Sequence, residues 1–285
     1  KATTGNTGID CFDDWTKELI QTGYLHNHAR MWFASIWIFT LNLPWELGAD
    51  FFYRHLLDGD PASNTLSWRW VAGLQTKGKT YLARPDNITK FTKGRYINIT
   101  NLSQTAAPVG YECTPSPNPL PEFLPIKKGV PTGLLLTDED LTFMDLFENH
   151  EPILSVGYFN DIEKCSPFPT ASNVSDFLRG ARQDALSRLK SIKKFEKIKI
   201  TDCPSIATIK DWALRNNLRQ IIMSYAPVGP INDALQGLPN LLHLNGINFC
   251  QRARKWDQIS WPHASRGFFK LRKKIPAILS DLNLI

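Results

Sequence analysis

A chain of 285 residues with 42% hydrophobic side chains is long enough for one large or two medium domains with packed cores. A formal charge of +6 and a pI near 9.0 make a mild basic excess, which favours nucleic acid without requiring it. The five Cys, at 11, 113, 165, 203 and 250, form no C-x-x-C pair and leave an odd one, so neither a disulfide frame nor a zinc site is implied and a reducing, cytoplasmic setting is expected.

From Met31 to Leu41 the only polar side chains are Ser35 and Thr40, and Pro44 ends the run, which predicts a buried helix. Eleven residues of helix span roughly 16 Å, about half a bilayer core, so no membrane role is expected. The run is led in by His26, Asn27, His28 and Arg30, and on a helix Asn27, Arg30, Met31 and Ala34 share one face. An amide, a guanidinium and a thioether together suit a site better than a core. A buried Arg without a counter-charge costs several kcal/mol, so Arg30 calls for a carboxylate or an anionic ligand. The turn Asp58-Gly59-Asp60-Pro61 offers two candidate acids, although taken alone it also reads as a solvated turn that caps a helix. Six of the nine Trp lie in the first 70 residues. Trp15, Trp32 and Trp37 read as core filler.

Seven of the 19 Pro fall between 101 and 131, which predicts a linker or an extended arm across the first domain and sets domains at 1–100 and 132–285. Beyond it, GLLL (133–136) and ILSVGYF (153–159) predict buried strands, and Phe177, Leu178, Ala181, Ala185, Leu189 and Ile192 recur at helical spacing behind Ser172 or Ser175. KIKI (197–200), a helix over 205–215 and QIIMSY (220–225) predict a βαβ unit, hence parallel strands in a doubly wound sheet. The stretch 251–274 carries eight Lys or Arg against Asp257 alone, among Trp256, Trp261, Phe268 and Phe269. These aromatics could stack bases beside phosphate contacts, or dock the tail on the α/β domain with the charges solvated.

Gly-Asn-Thr-Gly at 5–8, Thr-Gly-Tyr-Leu-His-Asn at 22–27, Ala-Arg-Met at 29–31, Trp45, Asp58-Gly-Asp60, Ala62, Asn64, Trp68 and Trp70 follow one another in a fixed order. This series resembles the flavin-binding helical domain of the DNA photolyase and cryptochrome family over about residues 5–96. The resemblance implies a helical FAD-binding domain, and FAD as cofactor. It implies that Asn27 faces flavin N5, that Arg30 lies beside the isoalloxazine paired with Asp58, and that Asp60 and Asn64 hydrogen-bond the ring and ribityl chain, with Tyr24 and Ser63 in the same cofactor set. Met31, Trp70 and His28 correspond to a lesion-facing set, and Trp45 and Trp68 to the two inner members of a light-driven electron chain. The α/β half resembles, more loosely, the domain that usually precedes the flavin domain, so the fold expected is α plus α/β in permuted order.

Thr65-Leu66-Ser67 stands where most cyclobutane-dimer photolyases read Asn-Gly-Gly, Arg69 replaces Gln, and Tyr24 and His28 replace Trp and Arg. The family's phosphate-holding loop lies upstream of the matched stretch, so these residues are expected to be part of a longer protein. Three readings follow: a photolyase whose reduced FAD splits pyrimidine dimers in DNA, a cryptochrome-like photoreceptor without repair, or a flavin-free scaffold. Dimer-containing DNA is the expected partner, an antenna chromophore a further one that the family allows, and a monomer the expected state.

Overall fold

The structure is a computed structural model that describes residues 1–76, 78–110, 116–143, 146, 152–160, 166–265 and 267–285. Cys113, Cys165 and five positions of the Pro-rich stretch lie outside these. The chain divides into two compact units, one of residues 1–114 and 166–179 and the other of residues 115–165 and 180–285.

The first unit is helical. Helix α1 (Asp10–Thr22) ends where Gly23 takes the left-handed conformation, and α2 (Asn27–Ser35) begins where the His26 ring accepts from the His28 amide. The predicted single helix over 31–41 is two pieces, because α2 passes at Ile36–Thr40 into a π-helical turn. That wider turn lets Leu41 N–H reach the Ile36 carbonyl at 2.9 Å and Leu43 N–H reach that of Trp37 at 3.1 Å, carrying the chain to Pro44. Helix α3 (Trp45–His55) follows, then α4 (Pro61–Val71), which opens with Pro61 in its first turn and the Asp60 carboxylate accepting from Ser63 N at 2.7 Å. Phe12, Phe33, Trp37, Phe51, Phe52 and Trp68 form the centre of the core, all at most 3% exposed. Trp15 stacks on Trp32 at 5.5 Å, and Trp32 donates to Asn87 Oδ1 at 3.0 Å, so both serve packing. Downstream, Ser103 N–H reaches Thr40 Oγ1 and Val109 N–H the Ala72 carbonyl, each at 3.1 Å, which ties the start of the Pro-rich stretch to this unit.

The second unit holds a five-stranded, all-parallel sheet in the order β3-β2-β1-β4-β5, with β1 (Thr132–Thr137), β2 (Ile153–Phe159), β3 (Lys199–Cys203), β4 (Gln220–Ser224) and β5 (Asn248–Arg252). The third strand starts two residues later than KIKI suggests, because Phe195 occupies a 3₁₀ turn and Ile198 N–H returns to its carbonyl at 3.0 Å. Beyond α5 (Pro85–Phe91) of the first unit comes α6 (Ser172–Ser191), and strands β3 and β4 are joined through α7 (Ile206–Arg215) but are not neighbours in the sheet. Trp212 of α7 seats fully buried over β1 and β2, where Gly133 and Gly157 leave room: a Cβ at Gly133 would lie 2.5 Å from its ring. Strand β5 was hidden at the start of the basic tail, since Asn-Phe-Cys-Gln-Arg alternates too weakly to announce a strand. At the sheet's carboxyl ends, where the strand order reverses between β1 and β4, Asp140 accepts from Ser224 and Arg254, the latter also through Nη2 at 2.7 Å. That crevice, the usual ligand position of a doubly wound sheet, carries its own ion pair. Of the tail's aromatics, Trp261 donates to the Asn118 carbonyl at 2.9 Å, while Phe268 and Phe269 stay 61% and 76% exposed.

Among the described residues no helix is long and apolar enough to cross a membrane.

Candidate flavin site

The α3–α4 corner and α2 enclose a cavity of about 290 Å³ in the first unit. It is lined by Asn27, Arg30, Met31 and Ala34 of α2, the apolar Phe52 and Leu56 of α3, Asp58 to Asp60 of the turn, and Ser63, Asn64, Ser67, Trp68, Trp70 and Val71. The helical spacing 27-30-31-34 therefore does set one face toward a single space.

Arg30 is held at both ends. Its Nε donates to the Leu25 carbonyl at 2.8 Å, and its Nη2 lies 3.0 Å from both carboxylate oxygens of Asp58. Of the two acids in the turn, Asp58 is thus the counter-charge and Asp60 the cap of α4. Tyr24 places its ring 5.6 Å from the Arg30 guanidinium carbon and is half exposed, outside the cavity wall. Asn64 spends its amide on the Ala49 carbonyl at 2.8 Å, which locks α4 to α3. The Asn27 amide has a single side-chain contact among the described residues, a long one of 3.9 Å to Met31 Sδ, and so keeps its hydrogen-bonding capacity at the cavity mouth.

Trp68 is 2% exposed, and its Nε1 is buried without any hydrogen-bond partner. An orphaned indole N–H in a cavity wall calls for an acceptor that the described residues do not supply. Its benzo edge is held by close approach to Gly48, where a Cβ would lie 2.3 Å from Cη2. Trp70 stacks on Tyr81 at 5.4 Å and is 36% exposed at the mouth.

Besides Tyr24, two expected residues fall outside the cavity wall. His28 points to the other side of α2, stacked on Phe91 at 5.0 Å and beside His26 at 5.5 Å, because one residue along a helix turns the side chain by about 100° away from Asn27. Trp45 is buried under the Arg69 guanidinium at 5.8 Å and makes no ring contact with Trp68; among the described residues the rings that touch Trp68 are Phe33, Trp37 and Phe52. Sequence reasoning passed over Phe52 and Leu56, since apolar positions carry no distinguishing pattern, while Trp37, read as core filler, does lie in the core.

The donor set fits an isoalloxazine: a flat apolar floor with an aromatic wall, a guanidinium–carboxylate pair, an amide and an unpaired indole N–H around a space of ring size. Among the described residues no group of three or more His, Cys, Asp or Glu is placed to hold a metal.

Residues 2–110 match the family described as the FAD binding domain of DNA photolyase. Similar curated proteins include a deoxyribodipyrimidine photo-lyase of Streptomyces griseus, 38% identical over 97 residues that cover 30% of this chain and 21% of that protein. One from Agrobacterium fabrum is 44% identical over 71 residues, covering 25% and 15%. The cryptochrome DASH, chloroplastic/mitochondrial, of Ostreococcus tauri is 35% identical over 148 residues, covering 50% and 26%. The matched part thus spans about a quarter or less of each of these relatives. No solved structure matches the chain. Over residues 2–110 the chain is thus similar to the FAD-binding domain of the photolyase/cryptochrome family, a domain whose cofactor is FAD.

Proposed function

We propose that the chain is part of a photolyase-type flavoprotein, in which light drives an electron from reduced FAD into a cyclobutane pyrimidine dimer in DNA and splits it. The observation that supports this most is the meeting of Asn27, the Arg30–Asp58 pair, Met31, Trp68 and Trp70 around one cavity.

In this reading the Arg30–Asp58 pair would hold the ring and set the local charge, and Asn27 would offer its amide to it near the mouth. Asp60 and Asn64 act mainly by fixing α4, and the exposed Ser63 lies beside the mouth. Trp70, aromatic and half open, receives a base that has left the helical stack, with Met31 as a polarizable neighbour. Phe52, Leu56 and Val71 exclude water, which strengthens each polar contact inside. The flavin, when bound, supplies the one-electron chemistry. His28, facing away from the cavity, is left for contacts with the strand outside the pocket.

A photoreceptor without repair is the second reading. Thr65, Leu66 and Ser67 are all exposed on α4 beside the mouth, and Leu66 at 50% gives an apolar surface that suits a protein partner better than phosphate. Blue illumination of FAD-loaded protein with a dimer-containing oligonucleotide separates the two. Restored oligonucleotide supports the photolyase; photoreduction without restoration supports the receptor; failure to take up flavin overturns both.

A further inference from the structure

The short helix Phe268–Arg272 of the second unit opens with two aromatic rings that the packing does not use. Along it and the helix Ile275–Asp281 that follows, Leu271, Ile275 and Ile278 recur at helical spacing and turn inward, with Ile278 2% exposed. Trp261 is anchored too, by its indole N–H on the Asn118 carbonyl. Phe268 and Phe269 stay 61% and 76% exposed, and their rings meet each other edge to face, with centroids 5.8 Å apart and planes at 62°. Two adjacent large apolar side chains left in water call for a cover.

Four cations share this corner. Lys270, Arg272, Lys273 and Lys274 are all exposed, and none of them forms an ion pair among the described residues. Lys270 makes one long contact, 3.5 Å to Ser265 Oγ. Lys273 and Lys274 keep right-handed helical angles between the two helices, so Arg272 lies one turn from Phe268 on the same face, and Lys273 one turn from Phe269. Each ring thus has a cation beside it, on a long apolar stem that can place the charge at a polar boundary.

This combination separates the candidate partners, all of which must be anionic. A base stacks on an open ring face, and here the edge of one Phe is turned to the face of the other. A lipid surface needs no ring face. It takes apolar bulk between its headgroups and matches its negative charge with Lys and Arg, and stable interfacial attachment takes both signals together. We propose that this corner is a peripheral docking surface for an anionic phospholipid bilayer, with Phe268 and Phe269 entering among the headgroups and Lys270, Arg272, Lys273 and Lys274 set over the lipid phosphates. The attachment is to one leaflet, and no helix has to cross. None of these residues lines the flavin cavity, so the flavin reading can fail without affecting it.

The test mixes the full chain with vesicles of phosphatidylcholine alone, or of equal parts phosphatidylcholine and phosphatidylserine, and reads the bound fraction by co-sedimentation. Binding to the mixed vesicles, with little to phosphatidylcholine, is expected, and it should fall as salt is added, because the charges are exposed. Phe268→Ser with Phe269→Ser should weaken it by about tenfold or more. Lys273→Gln with Lys274→Gln should weaken it by about fivefold for each charge. No binding to either vesicle, equal binding to both, or binding that both pairs of substitutions leave unchanged overturns the proposal. A single-stranded oligonucleotide that displaces the chain from the vesicles, and is itself lost with the two Phe, marks a nucleic-acid site and overturns it as well. If the Phe pair of substitutions does not fold, as judged by circular dichroism, the Lys pair and the salt dependence decide.

Discussion

The Arg30 Nη2 atom lies 3.0 Å from both carboxylate oxygens of Asp58, while Arg30 Nε is tied to the Leu25 carbonyl at 2.8 Å. The guanidinium is thereby fixed in the cavity wall before any ligand arrives. Asp58 is 60% exposed at its side chain and Arg30 25%, so solvent screens the pair and it adds little to folding, about 0–1 kcal/mol. Asp58→Asn should therefore leave Tm nearly unchanged and raise the Kd for FAD by about tenfold or more, as expected for loss of a charged hydrogen-bond partner. Equilibrium binding alongside thermal denaturation checks both halves.

Trp68→Phe keeps an aromatic ring in the core and removes an N–H that has no partner among the described residues. Photoreduction of bound flavin should slow while, under the proposed photolyase function, repair by chemically reduced protein stays nearly intact. Flash spectroscopy after a blue pulse measures the first, and unchanged photoreduction removes Trp68 from the electron path.

Gly48→Ala puts a Cβ 2.3 Å from Trp68 Cη2. The ring must move, and overpacking of this kind costs about 1–3 kcal/mol. A lower urea midpoint together with altered Trp fluorescence is expected; an unchanged midpoint means that the two residues are not in contact.

Asp60 caps α4 through Ser63 N at 2.7 Å. Asp60→Ala should cost about 1 kcal/mol, and Asp60→Ser should restore most of it, because a hydroxyl also caps. Chemical denaturation of the three proteins checks this.

In the second unit Asp138 is buried after β1, 3.6 Å from Arg182, with neither oxygen hydrogen-bonded among the described residues. Burial pushes its pKa up to about 6, with Asp202 adding to the rise and Arg182 opposing it. The folded form holds the proton more tightly than the unfolded chain, so the stability this carboxyl contributes is complete below its ordinary 3.8 and is lost as pH rises through about 6. Each pKa unit is worth about 1.4 kcal/mol. Asp138→Asn should flatten the pH dependence of unfolding across that window; an unaltered slope contradicts the assignment.

Burial also pushes the thiols of Cys11 and Cys203 up to about 12, so these should resist alkylation by iodoacetamide until the chain is unfolded. Labelling counted by mass spectrometry with and without urea tests it.

The features that sequence disclosed were those fixed locally. The 27-30-31-34 face follows from helix geometry, the Asp-Gly-Asp-Pro turn from capping and proline chemistry, and the parallel strands from short apolar runs around an amphipathic helix. What stayed hidden depends on partners far along the chain. Turn chemistry alone does not choose between Asp58 and Asp60 as the mate of Arg30; the family resemblance named Asp58, and the structure agrees, with Asp60 taken as the cap of α4. His28 was placed by resemblance, yet its ring goes where Phe91 offers a stacking surface. Trp37 was legible as core, but its edge-to-face contact with Trp68, 31 positions later, was not, because it depends on the missing Cβ of Gly48.

The most direct test of the flavin site is titration of the full chain with FAD, followed through quenching of protein fluorescence and the flavin absorbance band, beside Ser67→Trp, which places an indole at the rim of the cavity. Saturable binding by the unchanged chain, lost or strongly weakened in Ser67→Trp while the fold is retained, is the result this account predicts. Equal binding by both proteins, or none by either, would contradict it.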